Sequence, residues 1–210
     1  EAAVHRALAP YADRAAIAAI NGPTSIVISG QRDAVNAVAA TLLAETDADT
    51  GSAIQNPKLK IKNLTVSHAF HSPLMEPMLD DFRRVAESIT YHMPTTALIA
   101  NVTGQLAGAE ITTADYWVRH VREAVRFADG IATLQAQGID IFLEIGPKPT
   151  LLSLAEQVLD TVTGWQGDKV AASPPHPLTP SPVHPVLLPS LRQHQSDWRQ
   201  MLESLGELYV

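Results

Sequence analysis

The densest cluster of chemically capable side chains in the sequence is Ser67-His68-Ala69-Phe70-His71-Ser72-Pro73. Two histidines three positions apart raise two chemistries. A neutral imidazole, with an unperturbed pKa of about 6.5, can take a proton from a hydroxyl nucleophile and return it later. A pair of imidazoles can also ligate zinc. Three residues apart along an extended strand, however, they project to opposite faces, and no Asp, Glu or Cys stands close by as an obvious third ligand. No metal site is expected. A histidine at a strand end can equally be a satisfied core or surface residue. A histidine base also needs a nucleophile, and the elbow Gly-x-Ser-x-Gly, in which a strained turn presents a serine, occurs nowhere in the 210 residues. Ser29, Ser67 and Ser72 lack that glycine framing, so if His71 is catalytic its serine lies outside this sequence.

Composition bounds the remaining possibilities. The chain is 46% hydrophobic and 18% charged, against roughly a quarter charged in average soluble proteins, which describes a folded globular chain. The formal net charge of -7, with no clustered positive patch, excludes nucleic acid and an anionic membrane surface as expected partners. The absence of cysteine removes disulfides, a thiolate nucleophile and thiolate metal sites, and points to a cytoplasmic setting. No apolar run approaches the roughly 18 residues of a membrane span, and the start lacks a signal-peptide core. It also lacks an initiator Met, which suggests further residues upstream.

The elements that must position the histidine cluster can be read from periodicity. Ala15 to Ile20 and Ser25 to Ser29 read as two strands joined by the turn Asn21-Gly22-Pro23-Thr24. From Gln31 to Glu45, Val35, Val38, Leu42 and Leu43 recur at helical spacing, with Asp33 in the first turn. Residues 46–57 read as a loop, and Leu59, Ile61, Leu64 and Val66, interleaved with Lys58, Lys60 and Lys62, approximate a half-buried strand leading to Ser67. Strand, strand, helix, strand resembles part of a split βαβ unit.

After Ser72 the apolar residues Leu74, Met78, Phe82, Val85 and Ile89 predict a helix with Pro73 near its first turn. Leu98 to Val102 reads as a short strand. Tyr116 to Gln137 reads as a long helix interrupted near Asp129-Gly130, Ile139 to Ile145 as a strand covered on both faces, and Thr150 to Val162 as a helix. This alternation is the α/β signature. Seven of the fifteen prolines lie between Pro174 and Pro189, so that stretch reads as a linker that neither ladders nor winds. A short helix, Asp197 to Tyr209, follows.

The segment Thr65-Val66-Ser67-His68-Ala69-Phe70-His71-Ser72-Pro73-Leu74-Met75-Glu76-Pro77-Met78 resembles the histidine motif of the acyltransferase domain of type I modular polyketide synthases, relatives of malonyl-CoA:acyl carrier protein transacylases. The likeness continues in order through Ile20-Asn21-Gly22-Pro23, Val27-Ile28-Ser29-Gly30, Asn101-Val102-Thr103-Gly104, Tyr116-Trp117-Val118-Arg119, Val125-Arg126-Phe127 and Leu143-Glu144-Ile145-Gly146-Pro147. It reaches Leu188-Pro189-Ser190-Leu191-Arg192 and Asp197-Trp198, which are similar to the linker that follows such domains.

The resemblance implies an α/β architecture in four parts. Residues 1–11 end a preceding core segment, 12–64 form a small ferredoxin-like subdomain, 65–165 are the C-terminal part of an α/β-hydrolase-like core, and 166–210 are a proline-rich linker with a short helix. It implies ping-pong acyl transfer: a serine in a Gly-His-Ser-x-Gly elbow is acylated by malonyl-CoA, and the acyl group passes to the phosphopantetheine thiol of an acyl carrier protein. That thiol is carried by the partner, so no cofactor of the chain's own is expected. Neighbouring ketosynthase and other domains of the same polypeptide are the implied surroundings. The elbow serine, an arginine for the malonyl carboxylate and an oxyanion-hole glutamine lie N-terminal to Glu1 in this pattern, so the isolated segment is expected to be inactive.

By the same resemblance His71 is the general base, and Asn101 matches the position whose backbone carbonyl orients the imidazole. His68 and Phe70 shape the substrate pocket, and Asn21 lines the entrance between subdomains. The His-Ala-Phe-His quartet is usual in malonyl-selective members, whereas methylmalonyl-selective ones carry Tyr-Ala-Ser-His. Phe70 fills the space an α-methyl would need. Two other readings stand beside this one: a non-catalytic truncated or docking fragment, and a serine hydrolase relative that gives its acyl group to water. Glu144, at a strand end, reads as solvated or capping. His92, His120, His176, His184 and His194 are scattered and need no ligand. Lys58, Lys60 and Lys62 read as a solvated face, with docking of an acidic carrier protein as the alternative.

Overall fold

A computed structural model describes residues 1–48, 59–163 and 185–208. The chain packs as two compact units, Glu1–Phe127 and Ala128–Val210, a division by packing that does not fall at the subdomain boundaries named above. The Pro-rich stretch 166–184 and Lys58 lie outside the described residues.

The first unit opens with helix α1, Ala2–Leu8, and then the antiparallel hairpin of β1, Ala15–Ile20, and β2, Ile26–Gly30. The hairpin lies where the apolar runs and the Asn21-Gly22-Pro23-Thr24 turn predict it. Asn21 N–H donates to the Ser25 carbonyl at 2.9 Å, closing the loop. The β1/β2 register shifts between Ile17 and Ala19, leaving Ala18 as a bulge. The bulge resets the alternation, so that Ala15 and Ile17, then Ala18 and Ile20, are buried. It also releases the Ala18 carbonyl, which accepts from Val125 N–H at 2.9 Å.

Helix α2, Arg32–Ala48, follows, with Ala34 and Val38 fully buried. Its start is close-packed: Gly30 sits at φ +153°, where a Cβ would lie 2.2 Å from the Arg14 carbonyl. The strand expected over 58–66 does not form in the described part. Residues 59–66 are irregular and exposed. Their alternation is real, but among the described residues no neighbouring strand accepts their backbone groups, and without a partner the pattern has no ladder to join.

After the histidine cluster a short 3₁₀ turn, Pro73–Met75, leads into helix α3, Glu76–Glu87. Strands β3, Ile99–Ala100, and β4, Gln105–Leu106, form a two-residue hairpin. Helix α4, Ala114–Arg122, is capped by Thr113 Oγ1, which accepts from Tyr116 N–H at 3.4 Å. Ala100, Val102, Ile111 and Tyr116 make a buried cluster against which Trp117 packs.

The long helix expected over 116–137 is two helices, α4 and α5, Phe127–Ala136, and the break is at 123–126 rather than at Asp129-Gly130. Its cause is long-range pairing. Val125 forms a parallel bridge with Ala19, receiving the Ile20 N–H at 2.9 Å while donating to Ala18, so its backbone belongs to a sheet edge and not to a helix.

In the second unit β5, Ile141–Glu144, pairs in parallel with β6, Val186–Pro189. Strand β6 corrects the reading of this region as linker alone: Val186, Leu187 and Leu188 retain their N–H groups, and Pro189 stands at the strand's end, where a proline is tolerated. In β5 Phe142 is buried whereas Ile141 and Leu143 are exposed, so β5 is covered on one face within the unit, and Leu188 and Pro189 are buried in β6. Glu144 caps helix α6, Thr150–Thr163, accepting from Thr150 N–H at 3.1 Å and Leu152 N–H at 2.9 Å. Helix α7, Asp197–Leu208, turns a polar side inward: Gln200 and Ser204 are buried, and Ser204 Oγ donates to the Pro189 carbonyl at 2.9 Å.

Candidate active site

His71 sits on the loop before α3 in a left-handed backbone conformation, φ 60°. For a residue with a Cβ this costs on the order of 1–3 kcal/mol and persists only where the surroundings fix it. The next residue does much of that fixing. Ser72 is fully buried, its Oγ donates to the Ala69 carbonyl at 2.6 Å, and it accepts from Leu74 N–H at 3.3 Å, capping the turn with Pro73 in the first position.

The rest comes from the C-terminus of α4, where carbonyls have no intrahelical partner. His71 N–H donates to the Val121 carbonyl at 3.0 Å, and His71 Nδ1 lies 2.7 Å from the Glu123 carbonyl oxygen. A carbonyl only accepts, so Nδ1 carries the proton and Nε2 is the basic nitrogen. A neutral imidazole in a fixed tautomer is what a general base requires.

This geometry corrects the role expected of Asn101. Its carbonyl accepts from Arg126 N–H at 2.8 Å, and its side-chain nitrogen lies 3.4 Å from His120 Nε2. The imidazole of His71 is oriented by Glu123. The reason is local: Glu123 ends α4 with ψ 158°, an extended conformation that turns its carbonyl out of the helix ladder. Its carboxylate is engaged elsewhere, bonded by both Arg119 Nε at 2.7 Å and Nη2 at 3.0 Å.

The other expected residues gather around the same stretch. Phe70 is 49% exposed, its ring 6.5 Å from that of His71 and 6.2 Å, edge-on, from that of His68. His68 is exposed, with Nδ1 3.1 Å from Ser67 Oγ. Asn21 is half-buried, one residue beyond Ile20, whose N–H reaches Val125 two positions from Glu123. Residues 123–126 therefore bond directly to the His71 loop, to β1 and to Asn101. Among the described residues no group of three or more potential metal ligands forms.

His120, set aside in the sequence as one of the scattered histidines, belongs to this cluster. Its ring meets that of His71 edge to face at 6.1 Å, stacks on Tyr116 at 6.0 Å and meets Trp117 edge-on at 6.0 Å. Burial, with a smaller electrostatic contribution from the neighbouring His71, holds its pKa below the ordinary histidine value. The available signal was its position four residues after Tyr116, on the same helix face as that buried ring.

With this geometry in place the relatives are informative. Residues 1–205 match the family described as Acyl transferase domain, and the chain belongs to that family. Polyketide synthase GfsA of Streptomyces halstedii is 49% identical over 143 residues, which is 68% of this chain and 2% of that protein. The solved acyltransferase domain from the second module of the salinomycin polyketide synthase is 39% identical, with a TM-score of 0.78, over 100% of this chain and 41% of that one. The acyl transferase domain of SpnD, solved in complex with 2-(pent-4-yn-1-yl)malonyl, is 28% identical, with a TM-score of 0.75, over 98% of this chain and 43% of that one. The fold is thus that of polyketide synthase acyltransferase domains, and the chain spans less than half of each of these two solved domains.

Proposed function

We propose that this chain is the C-terminal part of an acyltransferase that moves a malonyl unit from CoA to the phosphopantetheine thiol of an acyl carrier protein, with His71 as general base. The observation that carries the reading is the His71 Nδ1 to Glu123 carbonyl bond of 2.7 Å, which leaves Nε2 as the proton acceptor inside the His-Ala-Phe-His motif of an acyl transferase family member. In the first half-reaction a serine from the remainder of the domain gives its proton to Nε2 as its oxygen attacks the thioester carbon. The resulting imidazolium then protonates the departing CoA thiolate. In the second, Nε2 takes the carrier thiol's proton, the thiolate attacks the acyl-serine, and the serine oxygen recovers the proton.

Phe70 supports malonyl over methylmalonyl. Its ring stands beside the base, where an α-methyl on the acyl group would compete for space, and rejecting one methyl is typically worth about 1–3 kcal/mol. The 2-(pent-4-yn-1-yl)malonyl bound to the SpnD domain, itself substituted at the α-carbon, supports the broader malonyl class and not this preference. In this reading residues 12–64 are the small subdomain, 65–165 the tail of the core and 166–210 the linker. His68 and Asn21 belong to the pocket and its entrance. The domain works in the cytoplasm among the other domains of a polyketide synthase and needs no cofactor of its own, and among the described residues no helix is long and apolar enough to cross a membrane. The test is loading of radiolabelled malonyl from CoA onto carrier protein by the full-length domain. His71→Ala is expected to lower the rate about 10²- to 10⁴-fold, and near-normal loading removes His71 as the base. Release of free malonate in place of carrier loading would move the assignment to a hydrolase.

A further inference from the structure

We propose that His120 is a positioning residue for His71: a second, uncharged imidazole that walls one edge of the His71 ring and holds it in register with the Glu123 carbonyl. The inference rests on the reading of His71 as the base. The Glu123 bond fixes one atom of the His71 ring, and a single hydrogen bond leaves the ring free to tilt about it. The edge-to-face contact with His120 at 6.1 Å supplies a second constraint. His120 is itself held on three sides, by the stacked Tyr116 ring, by the Trp117 edge and by Asn101 Nδ2 at 3.4 Å from Nε2. Asn101, matched from sequence to the imidazole's support, thus acts one residue further out.

The absence of charge on His120 matters because His71 must become an imidazolium in each half-reaction, and a second cation about 6 Å away would oppose that. The groups facing His120 keep it neutral. Tyr116 and Trp117 come from its own helix, His71 from the loop before α3, and Asn101 from the turn after β3. Burial pushes the Tyr116 hydroxyl above its ordinary range, so that ring is uncharged. The nearby charged side chains are matched in pairs: Arg83 of α3 with Asp115, Arg119 with Glu123, and Arg122 with Glu76.

The experiment uses the full-length acyltransferase domain, malonyl-CoA and carrier protein, with His71→Ala as the reference variant. His120→Ala is expected to lower kcat about 10-fold with KM for malonyl-CoA unchanged, because misplacing the base slows chemistry and not binding. His120→Gln, which fills the space and bonds Asn101 without taking a proton, restores kcat to within about threefold. In the wild type the acid limb of kcat/KM steepens beyond one proton as His120 also protonates, and in His120→Gln it stays at one. Wild-type kcat in His120→Ala, or a limb steeper than one proton in His120→Gln, overturns the proposal; the second measurement applies even if the alanine variant does not fold. If His71→Ala itself loads normally, the underlying reading has failed instead.

Discussion

Glu123 serves His71 through its backbone and not through its carboxylate. The carbonyl oxygen is 2.7 Å from Nδ1, while both carboxylate oxygens are bonded by Arg119. A glutamate therefore meets His71 without its acid group taking part in the bond. Glu123→Gln is expected to leave malonyl loading within about threefold, since the exposed ion pair it weakens is worth only about 0–1 kcal/mol. A loss on the scale of His71→Ala, measured in the same loading assay, would show that the carboxylate takes part.

Ser72 is a structural serine beside His71, the proposed base. Removing its hydroxyl leaves the Ala69 carbonyl without that donor in a fully buried site and uncaps the turn before α3. Ser72→Ala should cost about 1–3 kcal/mol in urea unfolding of the domain, and Thr should recover part of it. An unchanged midpoint would remove this bond as a support of His71's left-handed backbone.

Acid stability follows from His120. Its folded-state pKa lies below the ordinary 6.5, so the folded state binds this proton less readily than the unfolded chain. Its contribution is neutral above that value, becomes destabilising as pH falls through 6.5, and levels off once pH is below the folded pKa. Comparing wild type with His120→Gln by denaturant unfolding, the wild type should lose relative stability as pH falls below 6.5 and show no such trend above it. Parallel curves would contradict the neutral, half-buried imidazole.

Phe70→Ser opens space beside the His71 ring. The ratio of malonyl to methylmalonyl loading should fall about 10- to 200-fold toward the larger unit, read from competing labelled CoA esters. An unaltered ratio would place selectivity elsewhere in the pocket.

Gly30→Ala tests the entry to α2. The new Cβ meets backbone at 2.2 Å and must adopt φ +153°, which side chains avoid. Strain alone costs about 1–3 kcal/mol, so the variant should unfold at distinctly lower denaturant. A neutral substitution would mean that the Arg14 backbone yields.

What the sequence disclosed was mostly local. The hairpin around Asn21-Gly22, the cap at Ser72-Pro73, Glu144 at the head of α6 and the His-Ala-Phe-His motif are written in adjacent residues. The break at 123–126 was hidden because it depends on pairing with Ala18 and Ile20, about a hundred residues earlier. The alternation over 59–66 misled for the converse reason, a strand pattern with no partner among the described residues. In β6 the surrounding prolines masked three residues with free N–H groups. The role of the Glu123 carbonyl was illegible because a backbone atom leaves no mark on residue type, and the resemblance pointed to the carbonyl of Asn101 instead.

The four residues from Glu123 to Arg126 act as a common datum. His71, β1 and Asn101 are each located by a direct bond to this one short length of backbone, so placement errors do not accumulate through a series of intermediate contacts. The same economy concentrates risk: a single-residue deletion there would shift the base, the hairpin and the Asn101 turn together, whereas most loops of this size would absorb it.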